Sequence, residues 1–260
     1  MLSALKQICW WAVAGMLSAL ASLIRRQPSY QSAAGWRVVQ FSYALFGEDI
    51  VVLYLLRNRI HGERGVYVDV GAFDPVLHSN TYLLYLYGWR GINIDASPAR
   101  VSRFLDQRPD DKNVIAVVSD RVREVLYLEY PTEGTNRVVT TDDRNWANGL
   151  AELPRTVTPR MTETLTELLS SHLPDLPGID FLNIDCEGLD LSVLRGLDWT
   201  RWVPRVIAVE ANTLGDKDGI VAFLCEQGYV LVSQHLVTLI FLHCSARDTP
   251  PVGLLPHTAA

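Results

Sequence analysis

Carboxylates end two short apolar segments in the second half of the chain. Asp185 closes the segment FLNID, Glu210 closes RVIAVE, and Glu187 follows soon after Asp185. If these segments are neighbouring parallel strands, their carboxyl ends open onto one cleft. Clustered carboxylates raise one another's pKa, which suits a general base. Helix capping and salt bridging are the alternative explanation for the same residues.

These carboxylates also offer the oxygen ligands that a hard divalent cation prefers, and Asn212 would add an amide oxygen. We treat a divalent cation as the less favoured alternative and predict no metal site. The four cysteines are scattered along the chain, and no cluster of histidines and cysteines has the spacing of a zinc site.

A second group of polar residues lies at the end of the apolar segment VYVDV, where Asp69, Gly71 and Asp74 stand in VDVGAFDP. A glycine at this turn lets the backbone approach a ligand closely. An acidic side chain here can accept a ligand's ammonium group, and the N-terminus of a following helix favours a ligand carboxylate. The turn lacks the pattern G-x-G-x-x-G, so it is poorly suited to a dinucleotide pyrophosphate.

Three further ligand or proton contacts are predicted at segment ends. Asp95 ends GINID, where a carboxylate can accept hydrogen bonds from both hydroxyls of a ribose. Ser119 and Asp120 end VIAVVSD and are candidates for the edge of a nucleobase, although helix capping explains them almost equally well. His78 precedes a predicted helix whose N-terminus favours the neutral imidazole as a proton acceptor. An ordinary surface histidine is the alternative.

The elements that position these residues alternate between strands and helices. Buried strands are predicted at 66–70, 91–95, 114–120, 181–185 and 205–210, with further strands at 124–130 and 156–159. Helices are predicted within 41–60, at 80–87, from Pro98, and at 162–172, 189–197 and 219–227. The last two strands, YVLVSQ and LVTLIFLHC, are joined by a turn near His235 that is too short for a parallel crossover. The pattern therefore predicts an α/β fold, a Rossmann-like, doubly wound and mostly parallel seven-stranded sheet with a C-terminal antiparallel hairpin.

The N-terminal region is apolar, because residues 8–24 carry no charge and are followed by Arg25 and Arg26. This length is near the lower limit for crossing a bilayer. Membrane attachment is the expectation, and a helix packed on protein and a signal peptide are the alternatives. The arginines would place the following domain on the cytoplasmic side. The predicted division is 1–26 apolar helix, 27–35 linker, 36–248 folded domain and 249–260 tail.

The composition excludes one class of partner. A formal net charge of −6 provides no basic field for a nucleic-acid backbone, so we expect no nucleic-acid partner. The sequence does not indicate an oligomeric state.

Three longer stretches resemble the FkbM family of methyltransferases over residues 41–210. FSYALFGEDIVV resembles the family's lead-in helix, VYVDVGAFDPVLHSNTYLLYLYGWRGINIDASP its first motif block, and IDFLNIDCEGLDLSVLRGLD its second. The run from Ser-Asn-Thr-Tyr to Gly-Trp-Arg-Gly makes the resemblance specific. The chain departs from the family at Phe73, where a small polar residue is common, at Pro75, often glycine, and at Asp95, where glutamate is commoner.

The resemblance implies the class I methyltransferase architecture and methyl transfer from S-adenosylmethionine to an oxygen of a sugar, glycolipid or natural product. The predicted cofactor contacts are Asp69, Gly71, Asp74, Asn80, Asp95, Ser119 and Asp120, and the predicted catalytic residues are Asp185, Glu187 and His78. The polar stretch 131–154 would form a lid over the site. A nicotinamide-dependent oxidoreductase and an inactive, membrane-tethered cofactor-binding module are the alternatives.

Overall fold

A computed structural model describes residues 41–56, 65–131, 136–140 and 153–246. The predicted apolar helix at 8–24 and the predicted linker lie outside the described residues. Within the described part, no helix has the length and hydrophobicity needed to cross a membrane.

The described residues form eleven strands and six α-helices. The strands are β1 (Val66–Val70), β2 (Arg90–Asp95), β3 (Lys112–Ile115), β4 (Val117–Ser119), β5 (Glu124–Glu129), β6 (Arg137–Thr140), β7 (Thr156–Thr164), β8 (Phe181–Ile184), β9 (Val206–Glu210), β10 (Tyr229–His235) and β11 (Thr238–His243). The helices are α1 (Glu48–Leu55), α2 (Tyr82–Leu86), α3 (Pro98–Gln107), α4 (Leu165–His172), α5 (Asp190–Arg195) and α6 (Leu214–Glu226).

The large sheet confirms the predicted fold class. Its seven strands stand in the order β10-β11-β9-β8-β1-β2-β3, and β11 runs antiparallel to both of its neighbours. The other five strands pair in parallel, so β1, β2, β8 and β9 all end at the same edge. Because consecutive side chains of a strand point to opposite faces, these continuous apolar runs need cover on both sides.

Two apolar layers supply that cover. On one face, Val68, Ile94 and Leu182 pack with residues of α4, α5 and α6. On the other face, Tyr67 and Phe181 pack with residues of α1 and α2. The strand ends that carry the candidate site are therefore fixed by a core on each side of the sheet.

The prediction of a single third strand at 114–120 is wrong. The large sheet ends with β3 at Ile115, and the chain crosses at Ala116 into β4 of a second, four-stranded sheet ordered β4-β7-β5-β6. Val117 and Val118 are buried in the second sheet as fully as a continued strand would bury them. Hydrophobicity alone therefore does not reveal the change of sheet.

Several predicted boundaries also differ from the structure. Strand β7 extends to Thr164, so the helix predicted from 162 begins only at Leu165, after a capping box between Thr164 and Glu167. The helix predicted from Asn80 begins at Tyr82, whose backbone N–H donates to Ser79 Oγ over 3.1 Å. Helix α6 begins at Leu214, before the predicted residue 219, behind the capping box formed by Thr213.

Part of the predicted lid is a strand. Within 131–154, Arg137–Thr140 form β6, which pairs antiparallel with β5 at the edge of the second sheet. Residues 132–135 and 141–152 lie outside the described residues.

Gly71 joins the ends of β1 and β8 through a close backbone contact. Its φ is +78°, in the region where glycine carries no steric penalty. A Cβ atom at this position would collide with the backbone carbonyl of Asp185. The turn after β1 can therefore lie against the turn after β8 only if residue 71 is glycine.

Replacing Gly71 by alanine should cost more stability than the same change at Gly88. Gly88 has a φ of +88°, but beyond its chain neighbours no atom lies within 4 Å of the place that a Cβ would occupy. Gly88→Ala should therefore cost only about 1 kcal/mol of unfolding free energy. Gly71→Ala adds the collision and should cost about 3 kcal/mol. Urea denaturation measures both values, and equal losses would show that the close contact is unimportant.

Candidate active site

A cleft of about 520 Å³ opens at the carboxyl ends of the parallel strands. Its volume lies in the range of pockets for small molecules and cofactors. Seven carboxyl side chains line it, together with two arginines, Arg100 and Arg137. The acidic residues are Glu48, Asp69, Asp74, Asp95, Asp185, Glu187 and Glu210. The cleft therefore favours a ligand that carries positive charge.

Three of these carboxyl groups form one cluster. Each of Asp185, Glu187 and Glu210 offers an oxygen within 4.8 Å of the others. Asp185 is accessible from the cleft, yet the protein around it removes most of its hydration. This desolvation, reinforced by the charge of Glu210, raises the pKa of Asp185 well above its usual value. A hydrogen bond joins the two carboxyl groups, and desolvation also raises the pKa of Glu210.

Glu187 has the properties of a general base near neutral pH. Its backbone is left-handed, with a φ of +50°, in the turn after β8. Desolvation, with the charges of Glu210 and Asp190, raises the pKa of Glu187 to about 7, while Arg100 and Arg137 act in the opposite direction. A carboxylate with this pKa can both accept and release a proton at physiological pH.

Asp190 holds the turn that carries Glu187, a role that sequence reasoning missed. Its carboxylate accepts the backbone N–H of Cys186 over 2.9 Å and that of Gly188 over 3.0 Å. Burial raises the pKa of Asp190 to about 6. The sequence signal for this role is an acidic residue near the start of a predicted helix. Carboxylates at that position commonly accept hydrogen bonds from free backbone N–H groups.

The cluster has the oxygen set that a hard cation would need, and the Asn212 side chain lies against one of its members. The Asn212 side-chain amide donates to Glu210 Oε2 over 2.7 Å. The absence of a metal site stays a prediction.

Asp69 lies at the floor of the cleft in a buried hydrogen-bond network. Its Oδ2 accepts the hydroxyl of Thr81 over 2.6 Å, and its Oδ1 accepts the amide of Asn183 over 2.9 Å. The Asn80 side chain, also on the cleft wall, donates to Asn183 Oδ1 over 2.9 Å. Burial raises the pKa of Asp69. The only sequence signal for Asn183 is a polar residue inside the buried strand FLNID.

Arg108 completes this network from the other side, and the sequence does not single it out. The side chain is fully buried. It donates to Ser79 Oγ over 2.7 Å, to Thr81 Oγ1 over 2.8 Å and to the carbonyl oxygen of Pro75 over 2.8 Å. One buried cation thus ties the 75–81 segment to Asp69. Because Arg108 stands in the polar stretch DQRPDD, its neighbours in the sequence are those expected for a surface arginine.

Asp95 lies where a ribose contact was predicted, at the end of β2. It is buried, and it accepts the backbone N–H of Phe73 over 3.0 Å and that of Ser97 over 2.8 Å. Arg100 lies 3.5 Å from its second oxygen. Tyr127 of β5 lines the same part of the cleft, and desolvation together with the charge of Asp95 raises its pKa to about 12.

Asp74 and His78 also line the cleft, with different surroundings. Asp74 Oδ1 accepts the N–H groups of Val76 and Leu77, both over 2.9 Å, so this carboxylate mainly shapes the turn. His78 is exposed at the rim, with a φ of +55°, and its ring stacks on Phe73 at a centroid distance of 6.2 Å. His78 is not part of the carboxyl cluster.

Ser119 and Asp120 do not line the cleft. Because the chain leaves the large sheet at Ala116, the cleft wall there consists of Ala116, Val117 and Val118. Ser119 donates to Asp120 over 3.1 Å, and both side chains contact Arg123. The structure therefore brings together the other predicted site residues but not these two.

The strand order and the position of the cleft define a class I methyltransferase architecture. Residues 69–231 match a family model described as the methyltransferase FkbM domain. The chain therefore belongs to the FkbM methyltransferase family, and the nicotinamide-dependent alternative is wrong. None of the curated proteins matches the chain.

One solved structure in the comparison is the precorrin-6y C5,15-methyltransferase from Geobacter metallireducens. It shares 16% identity with a TM-score of 0.42, and the alignment covers 79% of this chain and 92% of that one. A likeness at this level says nothing about substrate or mechanism.

The raised pKa values predict that the protein loses stability as pH rises. Glu187 and Asp190 have folded pKa values of about 7 and about 6, above their ordinary values of 4.5 and 3.8. The folded state therefore holds more protons between pH 4 and 7, so its stability is greatest below this window and falls through it. Urea midpoints at pH 5 and pH 8 should show the loss.

Glu187→Gln should reduce this pH dependence, because it removes one of the titrating groups. Glu226→Gln is the matched control, since Glu226 is exposed at the far end of α6 from the cleft. A midpoint that is independent of pH in the unmodified protein would contradict the raised pKa values.

Proposed function

We propose that the protein is an S-adenosylmethionine-dependent methyltransferase that methylates a hydroxyl oxygen of a sugar, glycolipid or natural product. The observation that carries this proposal is the Asp185–Glu187–Glu210 cluster, in the same cleft as Asp95. An alcohol is a poor nucleophile at neutral pH, so a base with a pKa near 7 is what its activation requires.

The charge and the volume of the cleft support this cofactor. When bound, S-adenosylmethionine supplies a methyl group on a cationic sulfonium, and its transfer leaves a neutral thioether. The excess of carboxylates in the cleft suits that positive charge. Asp95 and Tyr127 would hold the ribose, and Gly71, which also lines the cleft, would lie beside the amino-acid end.

In this proposal the chain's own residues activate the acceptor. Glu187 removes the hydroxyl proton. Asp185 and Glu210, whose pKa values desolvation raises, orient the hydroxyl. The turn that Asp190 holds fixes Glu187 in place. Glu187 is favoured over His78 as the base because His78 lies at the rim and outside the cluster.

The test separates cofactor binding from proton removal. Asp95→Ala should weaken S-adenosylmethionine binding, measured by calorimetry, by about tenfold or more, because it removes charge-assisted hydrogen bonds. Glu187→Gln should lower that affinity much less than Asp95→Ala does, because Asp185 and Glu210 remain beside the sulfonium. It should slow the transfer of labelled methyl groups into a carbohydrate and glycolipid extract by roughly 10²–10⁴-fold.

Asp120→Asn is the control, because Asp120 lies outside the cleft. Full affinity in Asp95→Ala would reject the ribose assignment. Full transfer by Glu187→Gln would reject Glu187 as the base. A purified protein that binds no S-adenosylmethionine would reject the proposed function as a whole.

A further inference from the structure

Arg137 is a cleft-lining cation that has no carboxylate partner among the described residues. Other arginines near the site are paired. Arg100 lies 3.5 Å from Asp95, and Arg123 lies 3.4 Å from Asp120. No ion pair to a described residue is formed by Arg137, which stands at the start of β6 opposite Leu128 of β5.

The surroundings of Arg137 make this lack of a partner costly. Its Nε is buried without a hydrogen-bond partner, and its guanidinium lies over the ring of Tyr130, 5.8 Å from the centroid. Buried polar atoms usually have partners, and each exception calls for an explanation. A ligand that supplies an anionic oxygen would satisfy this guanidinium in the planar geometry that arginine favours.

The position of Arg137 indicates which ligand that is. Arg137 and Glu187 line the same cleft, and the positive charge of Arg137 acts to lower the pKa of Glu187. Arg137 belongs to the second sheet, whereas Gly71 follows β1 and Asp95 ends β2 in the large sheet. A group bound by Arg137 therefore shares the cleft with the base that meets the acceptor hydroxyl.

We propose that Arg137 binds an anionic group of the methyl acceptor, a carboxylate or a phosphate, close to the hydroxyl that is methylated. This inference rests on the proposed function and narrows its acceptor to an acidic or phosphorylated carbohydrate. The excess of carboxylates elsewhere in the cleft would repel such a group, so Arg137 decides whether it is accepted.

The experiment uses the full-length protein saturated with S-adenosylhomocysteine. Calorimetric titrations with glucuronate, glucose 6-phosphate and glucose compare two anionic probes with a neutral one. The unmodified protein should bind at least one anionic probe about tenfold or more tightly than glucose, as a charge-assisted bond provides. Arg137→Met should abolish this preference, and Arg137→Lys should keep part of it. Arg123→Met is the matched control and should keep all of it.

Two results would overturn the inference. One is equal binding of the three probes by the unmodified protein, or no detectable binding of any of them. The other is a tenfold loss of S-adenosylmethionine affinity in Arg137→Met that disappears with decarboxylated S-adenosylmethionine, which would assign Arg137 to the cofactor's carboxylate. Failure of the unmodified protein to bind S-adenosylhomocysteine would instead contradict the proposed function.

Discussion

The mutual repulsion of three closely spaced carboxyl groups is the constraint around which the cleft is built. Oxygens of Asp185, Glu187 and Glu210 lie within 4.8 Å of one another, and desolvation adds to their mutual repulsion. The raised pKa of Asp185 favours its neutral form, which relieves part of the repulsion. The remaining repulsion between the carboxyl groups favours the binding of a cation. It also leaves Glu187 able to accept a proton near pH 7.

Holding such a cluster in place requires rigid surroundings, and two buried arrangements provide them. The close contact of Gly71 with the backbone of Asp185 joins the turns after β1 and β8. The network from Asp69 through Thr81 to Arg108 fixes the segment that forms the opposite wall. Both arrangements stabilise the turns by contacts between distant parts of the chain. A substitution of Arg108 would therefore change the positions of residues that line the cleft.

The sequence predicts the large sheet well because its strands are short apolar runs bounded by glycine, proline and polar residues. It also predicts that Asp95, Asp185 and Glu210 converge, since parallel strands end at one edge. It does not predict the second sheet, because Val117 and Val118 have the same hydrophobicity in either sheet. Because the chain changes sheet at Ala116, Ser119 and Asp120 do not line the cleft, although the sequence predicts that they contact the ligand there. Arg108 and Arg137 are missed because only tertiary packing distinguishes them from surface arginines.

If a partly protonated carboxyl cluster receives the cationic cofactor, binding should release protons into the solution. Titrating the protein with S-adenosylmethionine at pH 7 in two buffers of different ionisation enthalpy counts the protons released. A nearby cation lowers the pKa of carboxyl groups, so we predict release of roughly half a proton or more. S-adenosylhomocysteine, which lacks the sulfonium charge, should release fewer. Binding of S-adenosylmethionine without proton release, or equal release with both ligands, would contradict the account.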